Sequence, residues 1–402
     1  MNTSLLSLGF LWLAVAAIVV LSILRGTSRQ LAFLTLNLIF VIGMVLGPAG
    51  AASTVLFAVL GYGLVLLAVR KGRLAMGLGL AGYVLLFVYM RRYDALEWVL
   101  PESMLTSVLS TVGLSFLFFK IVHVIIDAYS GTLGRLDFLT YLNYCLNFTT
   151  FLMGPIQRYQ DYREQWTGAK QAIPLTFEAH LDSVLRILFG FVKVYVIAAF
   201  LAGKALQPDT DLLQLSFKGF IVQTYAFWLY LYLNFSGYCD VVIGVGSLFG
   251  IRPPENFNKP FLARNISDFW LRQHRSLTLW LTDYVFNPLY KKMLTTPLTA
   301  RHKLIAAYVC LMVTMMVSGL WHGTTMSFFL FGLVHGLWFV IYRSWDSVLL
   351  SRLGRAGVQR FRRNPLVHAA GIILTFNATA LAFVFFQVRS DRIAAALSGL
   401  WS

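Results

Sequence analysis

Three histidines in apolar surroundings are the residues of this 402-residue chain best suited to chemistry. His322 sits in SGLWHGTTMSFFLFGLVHG, between two apolar stretches, and His335 lies inside the second of them. His274 lies upstream on an amphipathic segment. A neutral imidazole, with an ordinary pKa of about 6.5, is the natural general base at neutral pH. The plain alternative for each ring is a hydrogen bond to a carbonyl that locks two helices together. Two features favour His322. Gly319 and Gly323 bracket it, which permits close backbone approach or a break. Trp321 and the Thr324–Thr325 pair give it a mixed aromatic and polar neighbourhood. On one continuous helix His322 and His335 are separated by about 1300°, or about 220° after whole turns. They would not share a face, so they are not expected to hold one metal from a single helix. No HExxH and no Cys/His cluster occurs, and no metal site is expected.

Other motifs carry less. His123 and Asp127 are four residues apart and share a helix face, which reads as structural pairing before it reads as a proton path. GVGSLFG misses the GxGxxG spacing and follows no strand. The serine of FSGYCD lacks the GxSxG elbow context. Cys145, Cys239 and Cys310 show no CxxC spacing and read as small core residues, not a disulfide framework.

The elements that must position the histidines are membrane helices. Hydrophobic residues make up 58% of the chain and charged residues 12%, with a mean hydropathy of +0.70. Soluble domains carry about 25% charged residues. About eleven apolar runs recur, near 5–24, 31–48, 52–69, 75–90, 104–128, 136–153, 181–203, 213–249, 303–320, 326–345 and 366–388. Most are long enough to cross a bilayer core of roughly 30 Å. They are continuously apolar, not alternating, so helices are expected and barrel strands are not. The run at 213–249 exceeds one crossing and is expected to be two helices, or one crossing plus an interfacial stretch. The formal charge of +16 is read as basic loops that set orientation, and no nucleic-acid partner is expected. Residues 1–4 carry no Lys or Arg, so the first run reads as a retained span and not a signal peptide. Arg25, Arg29, Arg70, Lys71 and Arg73 place the N-terminus outward if their loops are cytoplasmic, although Arg91 and Arg92 run against that rule. No repeat of fixed period is visible, which argues against an inverted-repeat transporter. One membrane domain spanning 1–402 is expected.

Two polar stretches interrupt the pattern, 154–176 and 252–303. Pro253, Pro254 and Pro260 forbid a regular helix at the start of the second. From Arg264 onward an amphipathic pattern begins, and at about 100° per residue Ile266, Trp270, Leu277, Leu281 and Tyr284 share one sector. Arg264, Asp268, Arg272, Arg275 and Asp283 fall opposite, and His274 lies at the edge of the apolar sector. An interfacial or dipping helix, whole or in pieces, is expected there.

Taken together these segments resemble the membrane-bound O-acyltransferases, in the branch of the alginate O-acetyltransferase and teichoic acid D-alanyl transfer proteins. The resemblance covers about 110–345 and is carried by three blocks. From Leu233 to Tyr290 the chain shows FSGYxD, PENFNxP and FWxRxHxSLxxWLxDYxFxPL; GLWHG surrounds His322, and GPIQRYQDY occupies 154–162. The chain departs from the branch at Lys120, His123 and Val124 before Asp127, where a Gln and a Ser-Tyr pair are common.

That resemblance implies an all-α fold of about eleven spans around a central tunnel, with short helices dipping in. It implies catalytic roles for His322 and His274, with Trp321, Ser276, Asp283, Trp270, Asp240 and His335 supporting them or lining the tunnel. It further implies a multi-pass bacterial inner-membrane enzyme in contact with membrane lipid. Its acyl donor would be a cytoplasmic thioester, on coenzyme A or an acyl carrier protein, with no tightly bound cofactor. Its acceptor would be a hydroxyl of an extracytoplasmic glycan, reached directly or through a partner acyltransferase. A transporter or flippase for a lipid-linked glycan, and a scaffold for a separate acylating enzyme, are the competing readings.

Overall fold

A computed structural model of the chain describes residues 6–70, 72–101, 104, 113–134, 136–169 and 176–399. Lys71 and residues 105–112 of the fifth apolar run lie outside the described residues. Every regular element among the described residues is a helix, as apolar segments require where no water can satisfy the backbone. Among the described residues six stretches are long and apolar enough to cross a membrane: Gly26–Arg70, Leu74–Arg91, Phe177–Ala202, Lys303–His322, Met326–Arg363 and Pro365–Gln387. Exposed side chains such as Trp12, Val69, Phe189, Phe200 and Leu374 suit a lipid surround.

Helices and apolar runs do not match one for one. α1 (Leu8–Ile23), α2 (Gly26–Ile39) and α3 (Gly47–Arg70) take the first three runs, with a π-helical segment Phe40–Leu46 between the last two. α4 (Arg73–Arg91) and α5 (Leu114–Tyr129) follow. The run near 136–153 is not a span. α6 covers only Phe138–Leu146 and the chain leaves the helix at Asn147; nine residues reach about 14 Å. The non-helical residues that follow are buried, and side chains near and far in sequence meet their hydrogen bonds. Asn147 Oδ1 accepts from the Thr149 hydroxyl at 2.9 Å, and Asn37 Oδ1 accepts from the Phe148 N–H at 2.9 Å. Apolarity alone does not separate a spanning helix from a buried loop that meets its own hydrogen bonds.

α7 (Tyr159–Trp166) precedes α8 (Phe177–Phe191), which runs through a π-helical segment into α9 (Ala199–Ala202). The 213–249 run is not two helices. It is one helix, α10 (Phe217–Leu248), of 32 residues. No proline occurs in it, and no charge lies between Lys218 and Asp240, so nothing in the sequence stops it.

The chain divides into two compact units. The first comprises Met1–Val196 and Asn234–Glu255. Its core stacks Phe10, Phe33, Phe40, Phe148 and Phe249. It also holds an ion cluster. Arg186 grips Glu255 with both terminal nitrogens, at 2.6 and 2.5 Å, and Asp240 through Nε at 3.0 Å; Lys193 reaches Asp240 at 2.6 Å. Burial pushes the Glu255 carboxyl up, but Arg186 and then Arg252 reverse this and hold it below the usual range.

The second unit comprises Ile197–Leu233 and Asn256–Ser402. The amphipathic stretch is in pieces, the short helices α11 (Ile266–Trp270), α12 (Arg275–Leu281), α13 (Asn287–Met293) and α14 (Pro297–Arg301). α15 (Lys303–His322) and α16 (Met326–Arg363) form a tight hairpin, followed by α17 (Pro365–Gln387) and α18 (Ser390–Gly399). A Cβ at Gly319 would collide with the Phe328 carbonyl, and one at Gly332 with the Met315 carbonyl. Small residues at these positions let two membrane helices touch through their backbones. α16 also runs on past its expected end near 345 to a kink at Gly354, where φ is +63°, and a second helical piece follows to Arg363; Arg352 before the kink and Arg355, Arg360, Arg362 and Arg363 after it are exposed.

Candidate active site

His322 is the last residue of α15, because Gly323 turns extended and ends the helix. The break overturns the continuous-helix geometry used for His322 and His335, which sit on separate arms of the hairpin. His322 is partly exposed, whereas His274 and His335 are buried.

His274 owes its place to a strained turn. α11 begins at Asn265, whose Oδ1 accepts the Asp268 N–H at 2.9 Å, and Asp268 reaches back to the Arg264 N–H at 3.1 Å. This reciprocal cap satisfies donors that a helix start leaves open. After Trp270 the helix stops, and His274 takes the left-handed conformation at φ +47° before α12 starts. A non-glycine residue held there costs on the order of 1–3 kcal/mol, so neighbours must enforce it. Asn256 does so from an upstream loop. Its carbonyl accepts the Arg275 N–H at 2.9 Å, and its Oδ1 accepts the Ser276 N–H at 3.1 Å and the Ser276 hydroxyl at 2.8 Å. The Pro253–Pro254 segment delivers Asn256 in the required non-helical form.

The rings then meet. His274 and His322 lie 6.2 Å apart between centroids, and Trp321 packs on both, at 5.7 and 4.7 Å. Phe331 touches His322 at 5.8 Å and His335 at 4.6 Å. The Trp270 indole N–H donates to His335 Nδ1 at 3.3 Å. Burial, and then the His322 ring, push the His274 imidazole well below the ordinary histidine range, so it is neutral at neutral pH. Buried polar atoms without a hydrogen-bond partner among the described residues include His335 Nε2, Ser318 Oγ and Gln273 Oε1.

Seven of the eight residues singled out from sequence lie in the second unit, and six of them stand at or beside the ring cluster: His322, His274, Trp321, Ser276, Trp270 and His335. Two do not join them. Asp283 is exposed on the π-helical segment Thr282–Phe286. Asp240 belongs to the first unit and is bound by Arg186 and Lys193, so its carboxylate is engaged in structure there. Asn256 was missed, because a side chain clamping a turn from a distant loop leaves no periodic signal. Phe331 was missed because a phenylalanine in an apolar run looks like any other. Among the described residues no group of three or more His, Cys, Asp or Glu stands close enough to hold a metal.

Long apolar helices define a polytopic membrane protein, and its second unit holds a cluster of imidazoles and indoles. A model of the membrane-bound O-acyltransferase family matches residues 78–349, and the chain belongs to that family and is an O-acyltransferase. It is 32% identical over 292 residues to a teichoic acid D-alanyltransferase of Streptococcus thermophilus, covering 70% of this chain and 69% of the relative. It is 32% identical over 292 residues to a probable alginate O-acetylase of Pseudomonas aeruginosa, covering 72% of this chain and 51% of the relative. A peptidoglycan O-acetyltransferase of Helicobacter pylori is 30% identical over 253 residues, with 63% and 44% covered. The chain thus spans about half the length of the alginate and peptidoglycan relatives.

Proposed function

We propose that this enzyme moves an acyl group from a cytoplasmic thioester to a hydroxyl of a cell-envelope glycopolymer at the bacterial inner membrane, with His322 as general base. One observation carries the reading: His322 is partly exposed at a helix end, with a second, neutral imidazole at 6.2 Å. The acceptor oxygen attacks the thioester carbonyl while His322 Nδ1 or Nε2 takes its proton; the thiolate leaves and takes that proton back. His274 orients the acceptor, with Asn256 and Ser276 holding its turn and Trp321 packing its ring. Both substrates meet at once, so no acyl-enzyme is required. The three relatives are named for acylating teichoic acid, alginate and peptidoglycan, which supports a polymeric acceptor. The exposed arginines from Arg352 to Arg363 favour an anionic donor such as coenzyme A or an acidic carrier protein.

Mass spectrometry of surface glycans from a deletion strain tests the assignment. A missing ester that returns with the wild-type gene, and stays missing with a well-expressed His322→Ala variant, is the expected result. Unchanged glycan acylation in the deletion strain rejects it.

A further inference from the structure

We propose that His335 is a catalytic residue, whose Nε2–H donates to the thioester carbonyl oxygen as negative charge gathers there. The inference rests on the acyl-transfer reading above and gives that site its oxyanion donor.

The Trp270 indole N–H can only donate. Its bond to His335 Nδ1 at 3.3 Å therefore requires a lone pair on Nδ1 and, in the neutral ring, the proton on Nε2. That Nε2–H is fully buried and has no partner among the described residues. The rings around it are Phe331 at 4.6 Å, Trp270 at 5.1 Å, Phe383 at 6.0 Å and Phe269 at 6.3 Å. A contact with a ring face compensates only weakly for a lost acceptor. A phenylalanine would fill the same space without a stranded donor, so packing does not explain the histidine.

Position completes the argument. Phe331 touches both His335 and His322, so the stranded donor lies one ring from the general base. The pocket is also rigid. A Cβ on Gly336 would press on Met312 Sδ at 2.7 Å, and Trp270 pins the ring from the other side. A fixed, dry donor is what stabilises a developing oxyanion without reorganisation.

In the step, the acceptor oxygen bonds to the thioester carbon and its proton passes to His322. The carbonyl π pair moves onto oxygen and is held by His335 Nε2–H. Collapse re-forms the carbonyl, breaks the carbon–sulfur bond, and returns the proton from His322 to the departing thiolate. His335 keeps its proton throughout.

The test compares His335→Phe and His335→Gln in the deletion strain, reading ester appearance on surface glycan per folded protein, beside thermal unfolding of each purified variant. Glutamine keeps an N–H near the Nε2 position; phenylalanine keeps the ring shape alone. The expected result is a loss of about 10²–10³-fold for His335→Phe, at equal or higher thermal stability, with partial recovery in His335→Gln. The pH profile of His335→Gln stays that of wild type, because His335 is not the base. A packing role predicts the reverse order, and full activity in His335→Phe overturns the inference. Full activity there alongside a dead His322→Ala defeats only this inference, whereas a deletion strain with normal esters defeats the acyl-transfer reading as well.

Discussion

His123 in the first unit and His335 in the second are both fully buried on apolar helices, yet their hydrogen bonds run in opposite senses. His123 Nδ1 faces the Phe119 carbonyl at 3.0 Å, which can only accept, so that nitrogen carries the proton. Its Nε2 accepts the Tyr159 N–H at 3.1 Å. Both nitrogens are occupied, and the ring ties α5 to the start of α7. His335 has one nitrogen filled by an indole donor and the other stranded. The pair teaches how to read a buried histidine: a ring satisfied on both sides is a lock, and one with an idle donor beside a partly exposed imidazole is a reagent.

The largest expected effect that sharpens this contrast is at His322. His322→Ala lowers ester formation per folded protein by about 10²–10⁴-fold with little change in thermal midpoint. His123→Leu does the opposite. It strands the buried Tyr159 N–H, at about 1–3 kcal/mol, so the midpoint and yield fall while the surviving folded protein transfers at the wild-type rate. A His123→Leu protein that is stable but inactive would break the comparison. Next comes Asn256→Ala, which frees the His274 turn and is expected to cost about 10-fold to 10²-fold in rate, in the range for a positioning group moved by an ångström. Asn256→Asp keeps an acceptor for both Ser276 bonds and recovers most of it.

The smallest effect is in pH dependence. The folded-state pKa of His274 is depressed, so unfolding takes up a proton below the ordinary histidine value of about 6.5. The stability it contributes is complete above that value and falls as pH drops from it toward the depressed folded value. Thermal midpoints of His274→Gln are expected to decline less between pH 7 and pH 5 than those of wild type. An identical decline would contradict a neutral, buried ring.

Much of the fold was legible because lipid forces apolar segments into helices, and the three prolines at 253–260 rightly forbade one. The break at Gly323 was signalled by the glycines around His322. What stayed hidden has physical reasons. Residues 147–153 read as part of a span because the partners that satisfy their polar atoms, such as Asn37, lie in distant segments. The left-handed His274 depends on Asn256, and backbone strain imposed from outside has no composition signal. Asp240 shares a motif with site-like residues, but its neighbours Arg186 and Lys193 come from α8 and the segment after it, which no spacing rule could pair with it.

The central claim, that an accessible proton-accepting imidazole at His322 carries transfer, is tested most directly by diethyl pyrocarbonate labelling of membrane vesicles, with site-by-site mass spectrometry and transfer activity measured on the same samples. Activity is expected to fall in proportion to modification of His322, while His123, His274 and His335 stay unlabelled. Transfer that persists with His322 fully modified would contradict the account.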